Sequence, residues 1–495
     1  MHFNPRVADA LALVAGACLP LGFAPFELSP IAILAPAALF LLWLEADAAR
    51  AARRGFLFGL GMFGVGVSWV YVSMHNFGNM AAPLAAFATL LLVAGLALYP
   101  ALLGFVQARM RGSNDVVHIA LVLPALWTLF EWWRGWFLTG FPWLNLGYSQ
   151  AGTWLAGYAP WLGVYGVSLF AAVSAGLIAL AVHERHRWLP VAAMFAAVWA
   201  LGWAVGKVDW SQPAGEPLRV ALVQGNTPLA RKWRPEERPR IIERYLALSD
   251  AARDARLIVW PEAAAPGYLH QLETLIATLE TRSRERGADF VFGAIEGNAR
   301  TYYNSVAAVG ATPGVYRKRH LVPFGEFLPL PYLFGWIIDS MQIPMSNFTA
   351  GDADKPLLTA AGQALGVSVC YEDAFGEEVI RALPEATMLV NLSEDAWFGD
   401  SLAPHQRVQM ARLRALETAR PMLRAANTGP SVAIDHRGRV LARSAQFVPT
   451  VLDAEVQPMS GRTPYVLWGN WTVVSSLALL LFLALAVPRW RVARR

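Results

Sequence analysis

Three short stretches carry side chains that could act together. "IVWPEAAAP" places Glu262 just past an apolar run, "YRKRHLVPFGEFLP" supplies Lys318 and Glu326, and "LGVSVCYED" delivers Cys370 with Glu372 and Asp373 close behind. The chain has two cysteines, and the other, Cys18, lies in an N-terminal apolar run. A free thiol, with a pKa of about 8.5, is only a few per cent thiolate at neutral pH. A carboxylate within hydrogen-bond reach could take its proton during attack. A lysine could hold the oxyanion of a tetrahedral intermediate while also favouring the thiolate. Glu262, Lys318 and Cys370 on successive strand ends therefore have the makings of an acyl-transfer constellation. The plainer reading is an inert buried cysteine beside a structural Glu–Lys pair. Two cysteines provide neither a disulfide framework nor a zinc spacing, and the chemistry calls for no metal or organic cofactor.

The elements that would position these residues begin near 211, where short β-rich runs alternate with amphipathic stretches. Strands are expected at 218–224, 257–260, 289–297, 303–309, 365–370 and 387–392, with helices at 235–253, 270–286 and 403–419. Several strands are apolar on both faces, as in a sheet covered on each side. The block 207–466 thus reads as one α/β domain, with reactive residues collected at strand ends.

The rest of the chain is membrane. Of 495 residues, 56% are hydrophobic and 16% charged, against about 25% charged in an ordinary soluble domain. Apolar runs long enough to span occur near 8–26, 29–45, 55–74, 82–108, 116–133, 160–182, 188–206 and 467–488. That predicts about eight helices, with 1–206 and 467–495 flanking the polar block. Arg6, the group Arg50, Arg53 and Arg54, the pair Arg109 and Arg111, the pair Arg185 and Arg187, and the tail "RWRVARR" all fall on one side. Positive-inside bias puts both termini in the cytoplasm and the α/β block outside, in a bacterial cell the periplasm. Basic residues spread over loops in this way argue against a nucleic-acid groove, despite a formal charge of +5. Residues 1–22 have the outline of a signal peptide, but the loop-charge alternation needs the first helix retained.

Segment 134–160 is broken by Gly and Pro and rich in aromatics, including Trp136, Phe141, Trp143, Tyr148 and Trp154. It reads equally as an aromatic belt at the outer interface or as a re-entrant arm. Glu131 and Arg134 beside it are expected at the interface or paired with each other, since charge at the bilayer centre is costly.

At the Glu, Lys and Cys positions the sequence resembles the nitrilase superfamily, and more closely its membrane branch, the apolipoprotein N-acyltransferases. The matching stretches include "WVYVSMHNFGNM" (69–80), "RGWFLTGFPWLNLGYSQ" (134–150), "VQGNTPLARKW" (223–233), "WPEAAAP", "RHLVPFGEFLP", "CYEDAFGEE", residues 391–429 and "GNW" (469–471). They run in order through nearly the whole chain. The resemblance implies an α-β-β-α sandwich for the outer domain. It implies Glu262 as general base, Lys318 as oxyanion stabiliser, Cys370 as nucleophile, and Glu326 as a second glutamate positioning Lys318 or relaying protons. Tyr371 and Glu372 match the residues after the family's cysteine, with the Tyr371 N–H a candidate oxyanion donor. Trp233 matches a tryptophan near the cleft, and Asn391, Ser393, Asp395, Trp397 and Arg424 match supporting positions. The family usually reads Ser-Asn-Asp where this chain has Ser393-Glu394-Asp395. The implied reaction takes an acyl chain from the sn-1 position of a phospholipid, through a Cys370 thioester, to the N-terminal amine of a diacylglyceryl-apolipoprotein. The implied setting is the bacterial inner membrane, and nothing in the sequence demands more than a monomer. A membrane amidase using water as acceptor, or a lipid-binding scaffold with an inert outer domain, are the competing readings.

Overall fold

The computed structural model describes residues 4–112, 114–329, 332, 347–352 and 356–492. It divides into two compact units. One comprises Met1–Tyr71, Pro83–Val208 and Leu467–Arg495; the other comprises Val72–Ala82 and Asp209–Val466.

Near-continuous apolar sequence makes the first unit helical. Among the described residues, five helical stretches are long and apolar enough to cross a membrane: Pro5–Gly22, Ala82–Met110, Asp115–Arg134, Trp154–His183 and Arg185–Val205. A sixth arises if Ala48–Gly66 and Trp69–Phe77, bent by 49° at their junction, count as one span. The other two of the eight expected runs form shorter apolar helices, Ile31–Leu44 and Trp471–Ala484. The first of these is 14 residues, bounded by Pro30 and Glu45. At about 1.5 Å per residue that falls well short of a hydrocarbon core of roughly 30 Å. Of the basic tail, Arg494 and Arg495 lie outside the described residues.

Segment 134–160 folds back into this unit. Trp143, Leu144, Asn145, Leu146, Tyr148 and Gln150 are each at most 1% exposed, whereas Trp136, Phe137, Leu138 and Trp154 are exposed. Arg134 holds the fold-back. Its Nη1 donates to the Phe141 carbonyl at 2.9 Å and to that of Trp143, and its Nη2 donates to Asn145 Oδ1 at 2.7 Å. Glu131 Oε1 accepts from Trp127 Nε1 and from the Leu146 N–H, both at 2.9 Å. Both charges are therefore buried, matched to the arm's polar groups and close enough to act on each other. The arm is buried within the unit in its middle and exposes aromatic residues near its ends.

Among its described residues the second unit carries fourteen strands: β1 Ser211–Pro213, β2 Leu218–Gln224, β3 Leu257–Val259, β4 Asp289–Gly297, β5 Tyr302–Val309, β6 Gly314–Arg317, β7 Leu357–Ala360, β8 Gln363–Val369, β9 Met388–Ser393, β10 Met422–Ala426, β11 Val432–Ile434, β12 Val440–Arg443, β13 Thr450–Val456 and β14 Met459–Gly461. Two six-stranded sheets run β13-β2-β3-β4-β5-β6 and β12-β11-β10-β9-β8-β7. In each, three central strands are parallel (β2, β3, β4 and β8, β9, β10) and the outer pairings are antiparallel.

One core cluster draws side chains from both sheets, among them Leu222, Val259 and Val306 from the first and Val367, Val390 and Leu423 from the second. The alternate residues of β2 to β5, such as Ala221, Ile258 and Phe290, join Tyr245 of helix Arg238–Ala251 and Leu279 of helix Glu273–Arg286. Leu389 and Met422 likewise join Val408 and Ala411 of helix Leu402–Thr418. This alternation is the period of two that any strand imposes on its side chains, and it accounts for strands apolar on both faces. The chain therefore combines a multi-pass helical region with a mixed sheet-and-helix unit resembling the expected sandwich.

Candidate active site

The three residues proposed for the chemistry each sit just past a strand. Glu262 lies three residues past β3, Lys318 follows β6, and Cys370 follows β8. The first two thus come from one sheet and the cysteine from the other, rather than from successive strands of a single sheet. Gly293 on β4 lets the Glu262 turn lie close, because a Cβ there would stand 2.7 Å from the Glu262 Cα. Cys370 itself has φ of 49°, a left-handed conformation unusual for a residue with a side chain. Such conformations concentrate at functional sites, where the surroundings hold them in place.

A buried polar chain joins the acidic and basic members. Lys318 Nζ lies 2.7 Å from Glu326 Oε2, with the lysine side chain 1% exposed. Asn304 on β5 donates from one Nδ2 to Glu262 Oε1 at 2.7 Å and to Glu326 Oε1 at 2.9 Å. The Lys318 N–H donates to the Asn304 carbonyl at 2.8 Å, fixing backbone as well as side chain. Glu262 Oε2 accepts the Glu394 N–H at 2.8 Å, and the Glu262 carbonyl accepts Lys232 Nζ at 2.9 Å. Lys232 also forms an ion pair with Glu394, whose two oxygens accept from Asn427 Nδ2 at 3.0 Å. The glutamate that departs from the family's usual asparagine therefore has a partner in this chain.

Glu372 ties the lysine loop to the cysteine strand. Its Oε1 accepts from Tyr316 Oη at 2.9 Å and from the Arg319 N–H at 2.8 Å, while its Oε2 accepts the Val369 N–H at 2.7 Å. Tyr371 is buried and packs edge-on to Phe375, with centroids 5.0 Å apart. Trp233, half-buried, directly follows Lys232. Asn391 donates to the Cys370 carbonyl at 3.1 Å, Ser393 donates to Asn391 Oδ1 at 2.6 Å, and Arg424 Nη2 meets Asp395 Oδ1 at 2.7 Å.

The electrostatics separate the groups by role. Burial raises the Glu262 carboxyl above its ordinary range; Lys318 opposes this, and Glu326 and Glu394 add to it. Burial alone would pull Lys318 down, but the Glu326 and Glu262 carboxylates outweigh it and keep the ammonium firmly charged. The Cys370 thiol is pushed up to about 12, by burial and then by Glu262, against the pull of Arg407 and Lys318. The resting group is therefore a thiol beside a carboxylate raised toward the basicity a proton acceptor needs. Such a set can carry out nucleophilic acyl transfer with general-base assistance.

Asn304, Lys232 and Arg407 escaped the reading of the sequence. Lys232 and Arg407 lay inside motif stretches but are basic residues whose partners are distant in the chain. Asn304 carried no signal, being one amide beside Ser305 in a mostly buried strand.

Residues 15–177 match the model of the apolipoprotein N-acyltransferase N-terminal domain, and residues 219–465 match that of carbon-nitrogen hydrolase. Apolipoprotein N-acyltransferase of Methylococcus capsulatus is 48% identical over 475 residues, covering 95% of this chain and 94% of that protein. The protein of the same name from Nitrosomonas europaea is 45% identical over 485 residues, with 96% of each covered. Among solved structures, Nit3 of Saccharomyces cerevisiae, a nitrilase-superfamily member, covers 55% of this chain and 96% of its own at 17% identity and a TM-score of 0.39. With full-length relatives at this identity, the chain belongs to the apolipoprotein N-acyltransferase family.

Proposed function

We infer that this chain transfers an acyl chain from the sn-1 position of a phospholipid to the α-amine of an N-terminal S-diacylglyceryl-cysteine, through a thioester on Cys370. Family membership supports the reaction class. The observation that supports the residue roles is the buried chain Lys318–Glu326–Asn304–Glu262, with the Glu262 and Lys318 charges close enough to pull the Cys370 thiol in opposite directions.

In the first half-reaction Cys370 attacks the ester carbonyl and Glu262 takes the thiol proton. Lys318 stabilises the oxyanion, with the Tyr371 N–H as a second donor. The lysophospholipid alkoxide leaves with the proton from Glu262. In the second, the lipoprotein amine attacks the thioester, gives its proton to Glu262, and expels the thiolate. Glu326 holds Lys318 in place, Glu372 sets the lysine loop against the cysteine, and Trp233 packs on an acyl chain. A site closed to water would protect the thioester from hydrolysis.

The membrane arrangement belongs to the same reading. With the short helix Ile31–Leu44 counted as a crossing, eight helices divide as seven in 1–206 and one in 467–495, the arm 134–160 lies on the periplasmic side, and both termini are cytoplasmic. The block 207–466 is then a periplasmic α-β-β-α sandwich in the bacterial inner membrane. The positive-inside loops support this orientation. A monomer with phospholipid donor and diacylglyceryl-apolipoprotein acceptor completes it.

The test uses purified protein in detergent and a phospholipid labelled in its sn-1 chain. Label that rests on Cys370 and moves to a diacylglyceryl-cysteine peptide is the expected result. Label that drains into free fatty acid with the peptide present would make the protein a hydrolase.

A further inference from the structure

Arg407, in helix Leu402–Thr418, reaches the sulfur that reacts. Its side chain is 1% exposed, Nη1 donates to Cys370 Sγ at 3.2 Å, and Nη2 donates to Asp373 Oδ1 at 2.8 Å and to the Cys370 carbonyl. We propose that Arg407 is a further catalytic residue, holding the negative charge that Sγ carries as it begins to attack and again as it leaves. The inference rests on Cys370 as the nucleophile.

The chemistry asks for such a group. When the Sγ–C bond forms, the thiol proton passes to Glu262, and it then leaves on the glycerol oxygen as the C–O bond breaks. When the amine attacks, the N–C bond forms, the N–H proton passes to Glu262, and the C–S bond breaks. The sulfur departs as thiolate and recovers its proton from Glu262. Sulfur is therefore most anionic at the start of one half-reaction and the end of the other. Glu262 and Asp395 oppose that charge, and burial opposes it more, while Arg407 and Lys318 favour it. Lys318 is bound to Glu326, in line with a role at the carbonyl oxygen. Arg407 is a cation in direct contact with the sulfur, and a guanidinium keeps its charge when buried. A charge-assisted contact in a dry site is stronger than the same contact in water.

The experiment compares wild type, R407Q and D373N in detergent. It reads iodoacetamide alkylation of Cys370 at pH 8 and single-turnover acylation by labelled phospholipid. R407Q is expected to slow both by roughly tenfold or more, because one pKa unit on the thiol is a tenfold change in thiolate. D373N keeps the shape but removes the anion that competes for the guanidinium, and is expected to speed alkylation several-fold. Folded R407Q alkylated at the wild-type rate overturns the proposal. So does D373N alkylated no faster than wild type, which decides the matter if R407Q fails to fold. Wild type that never carries label on Cys370 would instead sink the nucleophile assignment itself.

Discussion

Lys232 and Glu394 form a buried ion pair, and each partner also holds Glu262. The two side chains are 2% and 6% exposed. The Lys232 ammonium donates to the Glu262 carbonyl and the Glu394 N–H to the Glu262 carboxylate. Removing one member of such a pair leaves an uncompensated charge and typically costs about 3–5 kcal/mol. E394Q and K232M are each expected to lose stability on that scale. The double variant is expected to lose less than the sum, since neither charge is then stranded. Denaturant unfolding of the three variants in detergent checks this, and strictly additive losses would mean the two charges are not coupled.

Cys370 is expected to behave as a thiol and not as a preformed thiolate. With its pKa pushed up to about 12, chiefly by burial, alkylation should rise about tenfold per pH unit from pH 7 to 10. Free cysteine, titrating near 8.5, levels off above that value. A profile that plateaus below pH 9 would contradict the buried-thiol picture. The same protonation state makes a base necessary, so E262Q should slow acylation by about 10²–10⁴-fold.

The sequence disclosed the parts of the fold that depend on local pattern. Strands β2, β4 and β9 were legible because their apolar runs are bounded by turn residues, and the three helices of the α/β unit because their spacing is periodic. Strand β10 was not, since "MLRAA" places Arg424 in the middle of a buried run. The pairing that makes this possible, with Asp395, is 29 residues away in sequence. Glu262, Lys318 and Cys370 stood out as candidates because reactive side chains follow apolar runs there, and Glu326 and Glu372 lie in the same short stretches. The groups that connect them did not stand out, because Asn304 and Arg407 gain their meaning only when β5 and helix Leu402–Thr418 are brought beside the cysteine strand. The fold-back of 134–160 likewise depends on Arg134 meeting carbonyls at Phe141 and Trp143.

Glu372 is expected to give stability a pH dependence of its own. Its pKa is raised from 4.5 to about 7, mainly by burial, with Lys318 and the Val369 and Arg319 N–H groups opposing. Because the folded value lies above the unfolded one, its favourable contribution is full below about pH 4.5 and is lost as pH rises through about 7. E372Q has no such titration. The stability of wild type relative to E372Q should therefore fall by about 3 kcal/mol between pH 4.5 and 8. Thermal unfolding of both proteins across that range measures it, and a constant difference would mean Glu372 stays ionised throughout.

Asn304 is expected to matter to the rate more than to lipid binding. Its single amide nitrogen serves Glu262 and Glu326 together, so it sets the distance between the carboxylate assigned as base and the carboxylate holding Lys318. A hydrogen bond to a charged group contributes about 1.5–3 kcal/mol, and each 1.36 kcal/mol is tenfold in rate. N304A should therefore slow single-turnover acylation of Cys370 roughly 10- to 100-fold, with the KM for phospholipid nearly unchanged. N304D should be slower still, because it sets a third carboxylate between two that already repel. If N304D matched wild type, or if N304A raised KM and left the acylation rate intact, the amide would not be what aligns the two glutamates.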